Sequence, residues 1–118
     1  MKVRNLALAA AWMEKAARQD FAPAQYRLGA LYEKGLGAPK DLDKARQWYQ
    51  RAAERGNVRA MHNLAVLLAD GASGKPDYSS AAQWFKQAAE FGVRDSQYNL
   101  AILNARGLGA SQNLAQSY

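Results

Sequence analysis

The phrase "WYQRAAERGNVRAMHNLAVLLADG", residues 48–71, returns 36 residues later as "WFKQAAEFGVRDSQYNLAILNARG", residues 84–107. The register runs along the whole chain. Trp12, Trp48 and Trp84 align at this period, as do Ala16, Ala52 and Ala88, then Ala17, Ala53 and Ala89. Leu28, Leu64 and Leu100 follow, then Leu31, Leu67 and Leu103, then Gly35, Gly71 and Gly107. A lone globular core has no need to repeat itself, whereas a stack of equivalent units buries one face of each unit against the next. The period therefore predicts an all-α solenoid of antiparallel helix–turn–helix units. The alanine-rich, proline-poor composition agrees with it.

Each unit divides into two helices. Helix A is expected over about Ala24–Lys34, with copies near Arg59–Asp70 and Asp95–Arg106; Ala24, Leu28, Leu31 and Tyr32 carry the helical apolar spacing. Pro23 suits the first turn, and Gly35 supplies the left-handed residue that ends the helix. A short connection leads to Asp41, Asp77 or Asn113, each placed to cap helix B with its side-chain oxygen. Helix B is expected over about Leu42–Arg55 and Tyr78–Phe91. Its buried stripes are Ala45, Tyr49, Ala52 and Ala53, then Ala81, Phe85, Ala88 and Ala89.

Small residues at Gly29, Ala65 and Ala101 should face Ala45 and Ala81, bringing the two helices close while aromatic rings fill the remaining space. Trp48 and Trp84 are expected to cover the seam between units, and truncating a buried Trp48 would then cost about 3–5 kcal/mol. The units read as 3–18 (a helix B alone), 21–56, 57–92 and 93–118, the last incomplete. The array is expected to be a piece of a longer one.

The formal charge of +6 is uneven. Residues 1–59 hold twelve Lys and Arg against six acids, and residues 60–118 hold four against four. The start, with Lys2, Arg4 and an apolar stretch from Leu6 to Met13, imitates a signal peptide, but Glu14 and Lys15 follow at once and the segment lies in the repeat register. No stretch reaches the length of a transmembrane helix. The absence of cysteine removes disulfides and thiolate chemistry, and leaves the compartment open.

No catalytic constellation stands out. His62 is the only histidine, and no partner for a general base is placed by the sequence. There is no nucleophile elbow, no phosphate loop and no nucleic-acid reader motif, so no catalytic residue, cofactor, metal site or nucleic-acid partner is expected.

The stretch "AQYRLGALYEKGLGAPKDLDKARQWYQRAAERGN" resembles the Sel1-like repeat, a relative of the tetratricopeptide repeat. Ala24, Leu28, Gly29, Tyr32, Gly35, Gly37, Asp41, Ala45, Trp48, Tyr49, Ala52, Ala53 and Gly56 carry the pattern. There are departures. Gly37 becomes Ser73 with Gly74 one place later, so that loop should bend differently. Tyr32 becomes Leu68 and then Asn104, where a looser third unit or a residue facing solvent or a partner is expected. The resemblance implies a non-catalytic protein–protein interaction scaffold. A narrower one rests on "MHNLAVL", "GKPDY", "GVRDSQYNLAIL" and "QNLAQSY", which resemble the periplasmic segment of the PodJ family of alphaproteobacterial polar localisation factors. It implies a membrane-anchored parent, a periplasmic location and partners among envelope or polar-assembly proteins. A cytoplasmic signalling adaptor is the alternative.

In a curved stack the A helices line the concave side. Opposite the Leu28/Leu31 stripe this places Tyr26, Arg27 and Glu33, then His62, Asn63 and Val66, then Tyr98, Asn99 and Ile102. An amide side chain can pair with both donor and acceptor of a peptide backbone, and the tetratricopeptide relationship implies that role for Asn63 and Asn99. Packing between adjacent units is the competing role. A second candidate surface is basic, formed by Arg46, Arg51, Arg55 and Arg59, and would suit peptidoglycan or another anionic envelope glycan. An ordinary solvated helix face is the plainer reading.

Overall fold

The structure is a computed structural model that describes residues 3–71 and 74–108. Six helices follow one another: α1 (Val3–Arg18), α2 (Ala22–Lys34), α3 (Leu42–Glu54), α4 (Val58–Asp70), α5 (Tyr78–Glu90) and α6 (Arg94–Ala105). No strand occurs among the described residues. α1, α3 and α5 are the B helices of the repeat, and α2, α4 and α6 are the A helices.

The helix ends repeat as faithfully as the sequence. Asp41 Oδ1 accepts from the Lys44 amide at 3.0 Å, and Asp77 Oδ1 accepts from the Ser80 amide at 3.0 Å. The amides of the same two aspartates donate back to the carbonyls of Tyr32 (3.0 Å) and Leu68 (2.8 Å), tying each B helix to the A helix before it. Gly35 ends α2 in the left-handed region, with φ 70°. Pro23 lies in the first turn of α2 as expected. Asn57 Oδ1 accepts from the Ala60 amide at 2.9 Å at the start of α4, whereas Phe21 and Val93 cap α2 and α6 without a side-chain bond. The expected cap at Asn113 lies outside the described residues.

Each B helix stops by one device. The amides of Phe21, Asn57 and Val93 reach back five residues to the carbonyls of Ala16, Ala52 and Ala88. The residue before each is left-handed: Asp20 (φ 64°), Gly56 (φ 94°) and Gly92 (φ 91°). This is the Schellman arrangement, which glycine adopts without steric cost. In the first repeat an aspartate takes the position.

The chain comprises two bodies, Met1–Ala60 and Met61–Tyr118. In the first, α2 packs against both α1 and α3. Ala45, Tyr49, Ala52 and Ala53 are all buried, as their spacing predicts. The small-against-small expectation needs correcting. Gly29 faces the Tyr49 ring, and a Cβ added at Gly29 would lie 2.7 Å from Tyr49 Cδ1. The glycine makes room for the ring of the helix B opposite. In the second body Ala65, Ala81, Ala82, Phe85 and Leu103 form the core, with Val66, Leu68, Trp84 and Leu100 packed against it. Asn104 is half-buried, and α6 buries only Ser96 and Leu103 where α2 buries five residues.

The tryptophans are less enclosed than expected. Trp48 and Trp84 are half-buried, and Trp12 is 68% exposed. The cost foreseen for truncating Trp48 assumed full burial, so a smaller loss follows from the structure.

Candidate functional site

The A-helix residues singled out by sequence divide into those engaged in packing and those presented to solvent. Tyr26 is half-buried, its ring 5.9 Å from that of Tyr49 at a tilt of 36°. His62 stands in the same relation to Phe85, with centroids 5.6 Å apart in an edge-on arrangement. Thus the ring on helix A packs on the ring of the following helix B in both repeats, because positions 26 and 49 recur at 62 and 85. Tyr98, at the same repeat position, is 68% exposed.

Glu33, expected on the binding surface, accepts from the Tyr49 hydroxyl at 2.6 Å and so completes the ring's polar end. Arg27 is exposed. In the second body Asn63, Val66, Asn99 and Ile102 are half-buried, and Val66 packs on the apolar core. Together with His62 and Tyr98, these residues form a set without Lys, Arg, Asp or Glu on α4 and α6. The two helices are tied by His62 Nδ1 and Ser96 Oγ, 2.6 Å apart.

Sequence spacing places no partner beside His62; the fold supplies Ser96. Ser96 is fully buried, and its hydroxyl faces the imidazole. The signal for the pair is a double departure from the repeat. His62 replaces the tyrosine of Tyr26 and Tyr98, and Ser96 replaces the alanine of Ala24 and Ala60. A polar ring and a polar partner occur together.

A second feature that the repeat pattern does not reveal is the glutamine at positions 25 and 97. Gln25 Nε2 donates to the Ala17 carbonyl at 3.0 Å, and Gln97 Nε2 donates to the Ala89 carbonyl at 3.1 Å. Each occupies a carbonyl near the end of the preceding B helix, where backbone acceptors lack helical partners. Gln25 is fully buried, and its Oε1 has no hydrogen-bond partner among the described residues.

The basic set is not a uniform patch. Arg46 is half-buried. Arg51 stacks on Trp48, with Cζ 4.9 Å from the ring centroid, and lies 3.5 Å from Asp20 Oδ1. Arg55 and Arg59 are exposed. Among the described residues no cluster of three His, Asp or Glu side chains has metal-binding geometry, and no helix is long and apolar enough to cross a membrane.

Comparison with known proteins agrees with this architecture. Sel1 repeats are matched at residues 2–21, 22–57, 58–92 and 94–118. A Sel1 repeat protein from Oxalobacter formigenes superposes with a TM-score of 0.83 at 36% identity, over 87% of this chain and 42% of that one. A protective antigen of uropathogenic Escherichia coli, c5321, which displays an SLR fold, gives a TM-score of 0.84 at 30% identity, over 94% of this chain and 25% of its own. The chain thus spans less than half of either solved protein. No match was found among curated proteins. With an all-α solenoid architecture and Sel1 repeats along nearly its whole length, the chain belongs to the Sel1 repeat family, whose members generally act as protein–protein interaction modules.

Proposed function

We propose that the chain is a non-catalytic binding module that takes a protein segment on the A-helix surface of its second body. One observation carries the reading. His62, Asn63 and Val66 on α4 and Tyr98, Asn99 and Ile102 on α6 place aromatic, amide and aliphatic side chains on two helices of one body, none of them fully buried and none of them Lys, Arg, Asp or Glu. A tyrosine offers a large apolar face and a hydroxyl at small entropic cost. Asn99 offers a donor and an acceptor to a peptide backbone. The first body contributes less, because Tyr26 and Glu33 are engaged with Tyr49.

The finer reading rests on the sequence resemblance to polar localisation factors alone: the periplasmic module of a membrane-anchored bacterial polarity scaffold, with partners among envelope or polar-assembly proteins. The cytoplasmic adaptor is the alternative location. Binding of peptidoglycan through the arginines is less favoured, since Arg51 is engaged by Trp48 and Asp20. A photo-crosslinking residue at position 98, used in cells of the source organism, should trap a protein partner. Tyr98→Ala and Asn99→Ala should each weaken its capture at unchanged melting temperature. Undiminished capture by both variants would remove the α6 surface from consideration.

A further inference from the structure

Position for position, the B helices differ along one stripe. In α3 it consists of Lys44, Trp48, Arg51 and Arg55, whose spacing puts them on one side of the helix. In α5 the matching residues are Ser80, Trp84, Gln87 and Phe91, and in α1 they are Leu8, Trp12, Lys15 and Gln19. The middle B helix therefore holds a cation at every position of the stripe that the tryptophan leaves. Lys44, Arg51 and Arg55 are exposed, and Trp48 is half-buried. The stripe lies inside its body and borders the α1–α2 hairpin. Lys44 Nζ is 5.3 Å from the centroid of the Tyr32 ring on α2, and Arg51 reaches Asp20 in the turn between α1 and α2. A unit stacked before α1 would meet α1, because each repeat contacts only its neighbours.

Helix stability alone does not explain the three charges. The helix dipole favours Arg51 and Arg55 at the C-terminal end of α3, but it disfavours Lys44 in the first turn. Two of the cations rest on rings, Lys44 on Tyr32 and Arg51 on Trp48. Stacking occupies the face of the guanidinium and leaves its edge N–H groups open to a carboxylate. The acids nearby do not neutralise the stripe. Asp20 lies 3.5 Å from Arg51, longer than a charge-assisted hydrogen bond. Glu54 accepts from Gln50 at 2.9 Å, and it shares with Asp43 the adjoining flank of α3. Among the described residues no ion pair holds Lys44 or Arg55.

We infer that the stripe of Lys44, Trp48, Arg51 and Arg55 docks an acidic segment of a partner protein. Lys44 and Arg51 stand two helical turns apart, about 10 Å, and Arg55 lies one turn beyond. Carboxylates along one face of a helical segment reproduce that spacing. Arg51, oriented by the indole, takes a carboxylate through two parallel N–H groups, and Trp48 receives an apolar side chain between the charges. Charge complementarity selects the occupant, because like charges on the partner would face three cations. A glycan suits the stripe less well, since Arg51 covers the indole face on which a sugar ring would stack. A membrane suits it less well too, since no aliphatic side chain is present to enter the acyl region. The inference is independent of the protein-binding surface on α6.

The test is a titration of the 118-residue chain into a fluorescein-labelled peptide, read by fluorescence anisotropy. The peptide is built of alanine, leucine and glutamate, its glutamates spaced as the three cations are. A second peptide carries glutamine for every glutamate. The glutamate peptide should bind and the glutamine peptide should not. Arg51→Gln should weaken binding about tenfold. Lys44→Gln and Arg55→Gln should each weaken it about threefold. Arg51→Lys keeps the charge and loses the planar fork, so it should weaken binding nearly as far as Arg51→Gln. Lys34→Gln removes an exposed cation from α2 of the same body and should leave binding unchanged. All four side chains are exposed, so the variants should keep the helical circular dichroism of the parent. Absence of binding by the glutamate peptide would overturn the inference. So would an equal loss on Lys34→Gln and Arg51→Gln, which would trace binding to the overall charge of the body. Undiminished binding by Arg51→Lys, with sedimentation of the chain on phosphatidylglycerol vesicles, would assign the stripe to lipid and overturn it as well.

Discussion

The two bodies solve one packing problem with different side chains. In the first, the ring at the centre of helix B is Tyr49, and the A helix opposite is cut back to Gly29 to admit it. In the second, the ring is Phe85, and Ala65 stands in the glycine's place within the same buried cluster. The Tyr49 hydroxyl needs an acceptor and finds Glu33; Phe85 needs none, and the equivalent residue is Ala69. Tyr26 faces one ring, and His62 the other. Substitutions in such an array travel in sets, because a repeat position fixes a volume and a hydrogen-bond balance rather than one residue. The bodies also differ in charge: one carries the whole basic excess, while the other is balanced.

Removing the ring should hurt most. Phe85→Ala should cost about 3–5 kcal/mol, read from the urea midpoint, because Phe85 is 2% exposed and its neighbours in the core are mostly alanines that cannot refill the space. A loss below about 1 kcal/mol would mean that the second body collapses around the cavity or is loosely packed. Gly29→Ala probes the first body from the other helix. The added methyl meets the Tyr49 ring, and the cost should be about 1–3 kcal/mol from overpacking. In the Tyr49→Leu background the same change should cost far less. If Gly29→Ala is neutral, the difference between the two bodies at this position is one of residue identity and not of fit.

Much of this architecture is legible in the amino-acid sequence. The period places every described helix to within two residues, and Asp41, Asp77 and Gly35 act at the ends as their chemistry requires. A repeat multiplies weak local signals, since each cap or stripe is read again in the next copy. What the sequence conceals depends on contacts between copies. The Gln25 and Gln97 bonds span eight residues to a preceding helix, and Met61 interrupts the series. The His62–Ser96 pair spans 34 residues. Of the candidate binding surface, the sequence specifies which residues share the helix. It does not show that Tyr26 and His62 pack on the rings of the next helix B or that Glu33 takes the Tyr49 hydroxyl, because burial depends on what the following helix B offers.

His62 and Ser96 give a sharper comparison than either residue alone. His62→Ala should cost about 1–2 kcal/mol, since the buried Ser96 hydroxyl loses its partner. Ser96→Ala should cost less, because half-buried His62 can turn to water. The double variant His62→Tyr/Ser96→Ala restores the residue types that the other repeats hold at these positions, and it should recover most of the loss. Additive losses in the cycle would show that the pair is not coupled, and that the two departures from the repeat are unrelated.

The smallest effect concerns Asp20, where the first repeat holds a left-handed residue that is not glycine. An L side chain in that region is strained, and aspartate tolerates it better than most because its short polar side chain can bond locally. The equivalent Gly56 and Gly92 adopt the region freely. Asp20→Gly should therefore stabilise the chain by up to about 0.5–1 kcal/mol, with the added freedom of the unfolded chain taking back part of the gain. The lost contact with Arg51 subtracts only a few tenths, because an ion pair this exposed is screened by solvent. Asp20→Ala loses the same contact without relieving the backbone, so its melting temperature should fall where that of Asp20→Gly rises. If both variants fall together, the carboxylate, through Arg51, matters more to this turn than its backbone angle, and the aspartate marks a repeat junction held by charge.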